Sequence, residues 1–554
     1  MVAAGGGGVS LVGTQEISYG PSGYKGIIKE PRVFGLACFA SLGGLLFGYD
    51  QGVMAGVLVM SDFAKRFPDV ANNASLQGWV VSIMTLGAMI GAFINGPVSD
   101  KFSRRWSILY ANLVYLVGSV LQFAAVHVAM LFLGRFIFGL AIGMLAMVVP
   151  LYLSEVVPPN VRGAMVALQQ LSITLGIMVS FWLDYGTQYI GGTGANQSQA
   201  AWRIPLALQC IPSIILTLGT FIFPYSPRWL VNQGREEEAL RSLLRLRRVP
   251  ETDPRIMMEM LEIRAAKLLD EETKAETFGD NPHHLRIIVK EYTSLFTVPH
   301  LRKRTFISCL LQIIQQFTGI NAIIYYAPQF FEQIGLSGNS VNLLATGVVG
   351  IVFFFCTIPA VLYIDRWGRR KTLIAGAIGM TIAQLVVATL WAVYKDSFSQ
   401  HKGAGWAACV FVWVYIGMFA FSIACINWII PSEIFPPAIR GKAVGVAIST
   451  NYLSNFIVAI SLPKMLKTIK FGTFYFFLAF CIILGVWTYF CVPETNGIPI
   501  EEMDKLFGGN SGARDMQRIH DIRARLGINE ISENGFMEKE IESIEKMHID
   551  KVEV

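Results

Sequence analysis

Charge is scarce in this chain: Asp, Glu, Lys and Arg make up 15% of its 554 residues, against 53% hydrophobic residues and a mean hydropathy of +0.50. A chain of this length could bury several cores, but it lacks the polar residues to cover them. That excludes an ordinary soluble multidomain protein and points to a bilayer. The eight cysteines (Cys38, Cys210, Cys309, Cys356, Cys409, Cys425, Cys481, Cys491) all lie within or at the ends of apolar runs, without metal-ligand spacing. No disulfide framework or zinc site is expected, and no cofactor or other metal is implied. No nucleophile, base and orienting group stand at a spacing suited to an enzyme. The opening MVAAGGGGVSLVG has neither the basic region nor the apolar core of a cleavable signal peptide, so the first apolar run is expected to serve as the insertion signal.

Long apolar runs are what the chain does have. Runs of about twenty residues, enough to span a hydrocarbon core, lie near 33–60, 78–97, 106–126, 128–150, 165–184 and 203–224, and again near 305–327, 340–364, 372–394, 406–431, 443–463 and 471–492. The two sets carry the same punctuation. Ser154 to Gly163 (SEVVPPNVRG) recurs as Ser432 to Gly441 (SEIFPPAIRG), and Asp100 to Arg105 (DKFSRR) as Asp365 to Arg370 (DRWGRR). Two copies of one unit follow, and duplicated apolar halves are the pattern of secondary transporters. The expected fold is an all-α membrane protein with twelve transmembrane helices in two six-helix halves.

The net charge of +6 does not call for a nucleic acid, because the basic residues sit in short loops between spans. By the positive-inside rule these loops and both termini face the cytoplasm. The expected organisation is a cytoplasmic tail at 1–32, bundles at 33–224 and 304–493, a helical linker at 225–303 and a cytoplasmic tail at 494–554. In the linker, Glu237 and Arg241 stand at helical i,i+4 spacing. A second helix is expected around Ile256 to Ala275 and a short one at Ile500 to Phe507, with a solvated tail beyond. The sequons at Asn73 and Asn196 fall in loops assigned to the outside and are candidate glycosylation sites.

Asp50, in GGLLFGYDQG, lies inside the first span, where an ionised carboxylate needs a partner, a proton or water. Arg135 in the fourth span is the expected partner. The pair is either static or functional; a carboxylate that alternates between an arginine and a proton is a means of proton coupling. Gln312, Gln315, Gln316 and Asn321 give the seventh span an unusual density of amides, followed by Tyr325 and Tyr326. Amides offer donors and acceptors together, suited to the hydroxyls of a neutral polyol; the alternative is hydrogen bonding between helices. Gln315 and Asn321 do not share a face of a straight helix, so joint use requires a bend, which Gly319 permits. Gln170 in the fifth span, and Asn451 with Asn455 in the eleventh, are open to the same two readings. Trp428 either stacks on a sugar face or anchors at the interface. Asp100, Arg104, Arg105, Glu155, Arg162, Arg228, Asp365, Arg369, Arg370, Glu433 and Arg440 form either ion-pair latches, with Glu155 set against Arg162 and Glu433 against Arg440, or topology signals alone.

GGLLFGYDQG, GRFIFGLAIG, SEVVPPNVRG, QQFTGINAIIYYAP, DRWGRR, SEIFPPAIRG and VPETNG, in this order over residues 33–507, resemble the sugar porter family of the major facilitator superfamily, especially fungal monosaccharide:proton symporters. The resemblance implies a central sugar site and alternating access. It places Gln170, Gln315, Gln316, Asn321 and Asn451 among hexose-binding amides, Trp428 in the cavity wall, and Tyr325 and Tyr326 at the outer gate. Asp50 stands where proton-coupled members carry aspartate, with Arg135 as its partner. Ala420 replaces the glutamate of animal uniporters. Three departures stand out: Phe353 at a position where many members carry asparagine, Ala424 to Ile426 in place of Gly-Pro elements, and Tyr225 where PESPR has glutamate. The expected function is proton-coupled transport of a hexose or pentose, as a monomer in the plasma membrane. The alternatives are a polyol carrier, a uniporter, or a non-transporting sugar sensor.

Overall fold

The computed structural model describes residues 31–158, 162–192, 194–250, 253–278, 284–333, 339–394, 397–398, 400–435, 439–495, 507, 517–518, 521–522 and 524–526. Among the described residues, twelve long helical spans form a bundle. Eleven are apolar and long enough to cross a bilayer: Pro31–Val57, Ala74–Phe102, Arg104–Phe123, Val128–Val156, Ala200–Thr220, Pro299–Glu332, Val341–Tyr363, Arg369–Tyr394, Lys402–Ile434, Arg440–Thr468 and Gly472–Cys491. The remaining one, Arg162–Thr187, is the fifth in order. No strand occurs among the described residues.

Local chemistry sets the helix boundaries. Asn73 caps the second span, its side-chain oxygen accepting from the Ser75 and Leu76 amides at 2.9 and 3.3 Å. The second and third spans meet at Ser103 (φ +80°) and the eighth and ninth at Gly368 (φ +82°). These residues hold the same position in DKFSRR and DRWGRR, so the duplication read from the sequence is also a duplicated backbone turn. At Gly368 a Cβ would press on the Glu494 carboxylate, which accepts from the Arg369 and Arg370 amides at 2.8 and 3.1 Å and so caps the ninth span.

The first six spans pack on the last six along two seams. In one, Gly78 of the second span lies against the Ile460 backbone of the eleventh, with Trp79 edge-on to Phe456 at 5.6 Å. In the other, Gly347 and Gly350 of the eighth span approach Trp182 and Met178 of the fifth. Helices Pro227–Asn232, Glu236–Arg247, Pro254–Phe278 and His284–Thr297 occupy the polar stretch between the sixth and seventh spans. The first three pack together through Trp229, Leu230, Leu243, Ile256 and Met260. Arg247 grips Glu259 at 2.6 Å and the Val156 carbonyl at 2.9 Å. The last of these helices bridges the two sets of spans: Tyr292 stacks on Phe93 of the second at 5.0 Å, and Glu291 pairs with Lys442 of the eleventh.

The stretch at 496–506, which holds nearly all of the short helix expected at Ile500 to Phe507, lies outside the described residues. The tail is less solvated than its composition suggests. Phe507 is buried under the Arg304 guanidinium at 5.0 Å, Ile522 is buried, and Arg525 pairs with Glu272 of the linker at 2.9 Å.

Candidate sugar site and proton-linked ion pair

Where the two sets of spans meet, Phe47, Gln51, Gln170, Ile173, Ile177, Gln315, Gln316, Ile320, Asn321, Ile324, Phe353, Phe419, Trp428, Asn451 and Asn455 line one narrow cavity of about 40 Å³. All six amide and tryptophan residues expected in the site line this one cavity, and no lining residue is charged. One wall is amide and the other aliphatic or aromatic. A monosaccharide has the same two characters, a rim of hydroxyls and less polar ring faces.

The amide wall depends on a break in the seventh span. Its helix ends at Phe317 and restarts at Ile320, with Gly319 at φ +94°, a conformation costly for a residue with a Cβ. A Cβ there would also fall 2.6 Å from the Phe477 ring. The break turns Asn321 back onto its own helix, so that its amide donates to Gln316 Oε1 at 2.6 Å. Gln316 donates to Asn451 Oδ1 at 2.9 Å, and Asn451 donates to Gln312 and Gln315 at 2.7 and 2.6 Å. Asn427 completes the network, donating to Gln315 at 2.9 Å and to Gln312. The wall is thus polar while its amides largely satisfy one another.

Asn427 was not singled out in the sequence. Its proximity to Trp428 was the available signal, but its orientation follows from a break in the tenth span at Ser422 (φ −117°, ψ −93°). That break also answers the replacement at Ala424 to Ile426: these three are buried within the restarted helix, and the bend sits at Ser422 instead. Phe353 meets Phe419 edge-on at 6.0 Å, making the apolar wall where relatives carry an amide.

Asp50 and Arg135 approach to 3.5 Å, both fully buried. Arg135 also reaches the Val81 carbonyl at 3.3 Å and Gln122 Oε1 at 3.4 Å. Gln51, the next residue along the first span, faces the cavity instead and donates to the Tyr325 hydroxyl at 3.5 Å; Asn455 donates to the same hydroxyl at 3.3 Å. Tyr325 is buried and ties the first span to the eleventh. Tyr326 is buried beside it, donating to the Ala459 carbonyl at 3.2 Å. Gln51 is the second residue missed in the sequence, hidden by the stronger signal of its neighbour.

On the linker side, the repeated charges pair across helices within each set of spans. Arg104 binds Glu155 at 3.0 Å and Asp100 at 3.1 Å; Arg369 binds Glu433 at 2.7 Å, whose other oxygen accepts from Thr495 at 2.6 Å. Glu155, set against Arg162 in the sequence, thus lies with Arg104; the side chains of Arg162 and Asp365 lie outside the described residues. The Arg440 guanidinium donates to the Phe435 carbonyl at 3.3 Å, and Arg370 to the Tyr489 carbonyl. Arg228 is exposed. At Tyr225 the Arg105 guanidinium lies 5.2 Å over the ring, while the hydroxyl accepts from the Trp106 indole at 2.9 Å. Asn73 and Asn196 are both exposed at the face opposite the linker.

A family model described as "Sugar (and other) transporter" matches residues 36–507. "Sugar transport protein MST7" of Oryza sativa subsp. japonica is 35% identical over 493 residues, covering 85% of this chain and 91% of that protein. "Probable quinate permease" of Aspergillus niger is 32% identical over 529 residues, covering 93% and 95%. Among solved structures, the proton:xylose symporter XylE bound to 6-bromo-6-deoxy-D-glucose superposes with a TM-score of 0.71 at 27% identity, covering 86% of this chain and 99% of that one. These relatives are transporters, not enzymes. The chain, a multi-pass membrane protein of twelve helices around a central amide-walled cavity, belongs to the sugar porter family of the major facilitator superfamily.

Proposed function

We propose that this protein is a proton-coupled monosaccharide symporter of the plasma membrane, both termini cytoplasmic, working by alternating access between bundles at 33–224 and 304–493. The observation that carries the proposal is the adjacency of Asp50 and Gln51. One residue holds the buried ion pair with Arg135; the next lines the sugar cavity and bonds the gating Tyr325. Protonation of Asp50 removes the charge that holds Arg135. The first span is then free to move, and Gln51 and Tyr325 move with it. Sugar bound by Gln170, Gln315, Gln316, Asn321 and Asn451, with Trp428 beside it, favours closure of the bundles over the cavity. Inward opening strains the Arg104–Glu155 and Arg369–Glu433 latches and the linker bridge through Tyr292 and Glu291. The resemblance to a solved proton:xylose symporter, XylE, supports the same reading.

A neutral substrate fits the site better than a carboxylate such as quinate, because no cationic side chain lines the cavity to offset a negative charge. The test is uptake of labelled glucose by the purified protein in proteoliposomes, with unlabelled hexoses, pentoses, polyols and quinate as competitors. Accumulation is expected only with an imposed inward proton gradient. Gradient-independent equilibration would leave a uniporter. Uptake by a protein truncated after Thr495 separates a transporter from a sensor that depends on its tail.

A further inference from the structure

Gly44, Gly48, Gly52 and Gly56 recur at every fourth residue of the first span and all face the fifth. A Cβ on Gly44 would fall 2.8 Å from the Gln169 carbonyl oxygen; on Gly48 it would overlap the Ile173 backbone, and on Gly52 the Ser180 hydroxyl. Three rungs of this ladder are thus close contacts with backbone or with a hydroxyl that donates to Ile177 at 2.9 Å. The fourth is different. At Gly56 the space left by the missing Cβ is filled by the carboxyl of Asp184. Asp184 is fully buried, and neither carboxylate oxygen has a hydrogen-bond partner among the described residues.

The surrounding elements supply no counter-charge. The first span contributes Tyr49, whose hydroxyl donates to the Pro205 carbonyl at 2.8 Å, and Asp50, committed to Arg135 of the fourth. The sixth contributes Arg203, which lies over Trp202 at 4.9 Å and donates to the Ala125 carbonyl at 3.4 Å. The eighth carries no ionisable residue between 341 and 355. An ionised carboxylate so placed has no cation among these groups to replace its hydration. Asp50 differs in having Arg135.

We propose that Asp184 is a second proton-binding site of this transporter, loaded from the outer face: the outer ends of the first and fifth spans close on each other only with the carboxyl protonated. As the spans close, the carboxylate takes a proton from external water, forming one O–H bond; as they part, the proton returns to water. Gly56 provides the seat for the neutral acid. The inference rests on the symport reading and its topology, and adds a proton step outside the Asp50–Arg135 pair.

The test compares wild type with Asp184→Asn, which stays neutral at every pH. In proteoliposomes, the fall of sugar uptake on the alkaline side of the external pH profile should follow two deprotonations in the wild type and one in the variant. Infrared spectroscopy of the purified proteins supplies a readout independent of transport: the wild type should show the C=O stretch of a buried protonated carboxyl that Asp184→Asn lacks. Asp184→Leu serves for both measurements if Asp184→Asn does not fold. Identical pH profiles, or no lost carboxyl band, would overturn the proposal while leaving symport intact. Gradient-independent equilibration by the wild type would instead overturn symport.

Discussion

Replacing Asn451 by alanine separates a sugar-binding amide from one that merely joins helices. Asn451 makes three short hydrogen bonds, accepting from Gln316 at 2.9 Å and donating to Gln312 and Gln315 at 2.7 and 2.6 Å. In the empty protein most of this is redundant, because Asn427 also donates to Gln312 and Gln315. The loss of stability should therefore be about 1–2 kcal/mol, the net value of one or two neutral hydrogen bonds. A bound sugar has no such substitute: it loses a donor and an acceptor. At about 1 kcal/mol each, KM should rise roughly thirtyfold, with the maximal rate changed much less. Concentration-dependent uptake gives KM, and thermal unfolding in detergent gives stability. An unchanged KM with a large loss of stability would refute the reasoning and leave Asn451 as a structural tie.

Gly319→Ala should lower stability by about 1–3 kcal/mol from its left-handed backbone and the crowding of Phe477, and should weaken sugar binding as Asn321 loses its register; thermal unfolding and uptake measure the two. Tyr325→Phe removes the hydroxyl shared by Gln51 and Asn455, worth about 1 kcal/mol per bond, and should increase labelling of a cysteine placed in the cavity by an impermeant thiol reagent. Arg369→Leu leaves Glu433 without its 2.7 Å partner in a largely buried position; a loss of about 2–3 kcal/mol is expected, at the low end for a broken buried pair, read by denaturation. In a glycosylating host, Asn73→Gln and Asn196→Gln should each remove any glycosidase-sensitive mobility shift, since both residues are exposed at the face assigned to the outside.

The helices were legible because apolar length alone specifies a span, and the Asp50–Arg135 pair because a charge in an apolar run needs a partner. The bend at Gly319 was also legible, since Gln315 and Asn321 serve one site only if the helix breaks between them. Pairings set by packing between helices were harder to read. Glu155 and Arg162 lie close in sequence, yet Glu155 meets Arg104 from a different repeated motif. The break at Ser422, and with it the place of Asn427, has no glycine or proline to announce it. Tyr225 stands out in the sequence only as a departure from PESPR, and its place beneath the Arg105 guanidinium depends on packing between distant segments. Asp184 carries no signal in the sequence, because its burial against Gly56 depends on the glycine ladder of another helix.

The central claim is that Asp50 couples the proton to the sugar. A pH difference of about two units supplies roughly 2.7 kcal/mol, and a membrane potential of about 100 mV adds about 2.3 kcal/mol per charge, which together support accumulation of roughly four-thousandfold. The most direct measurement is uphill glucose uptake and sugar exchange, side by side, in proteoliposomes carrying wild type or Asp50→Asn. The account predicts gradient-driven accumulation by the wild type and exchange without accumulation by the variant. Undiminished accumulation by Asp50→Asn would contradict it.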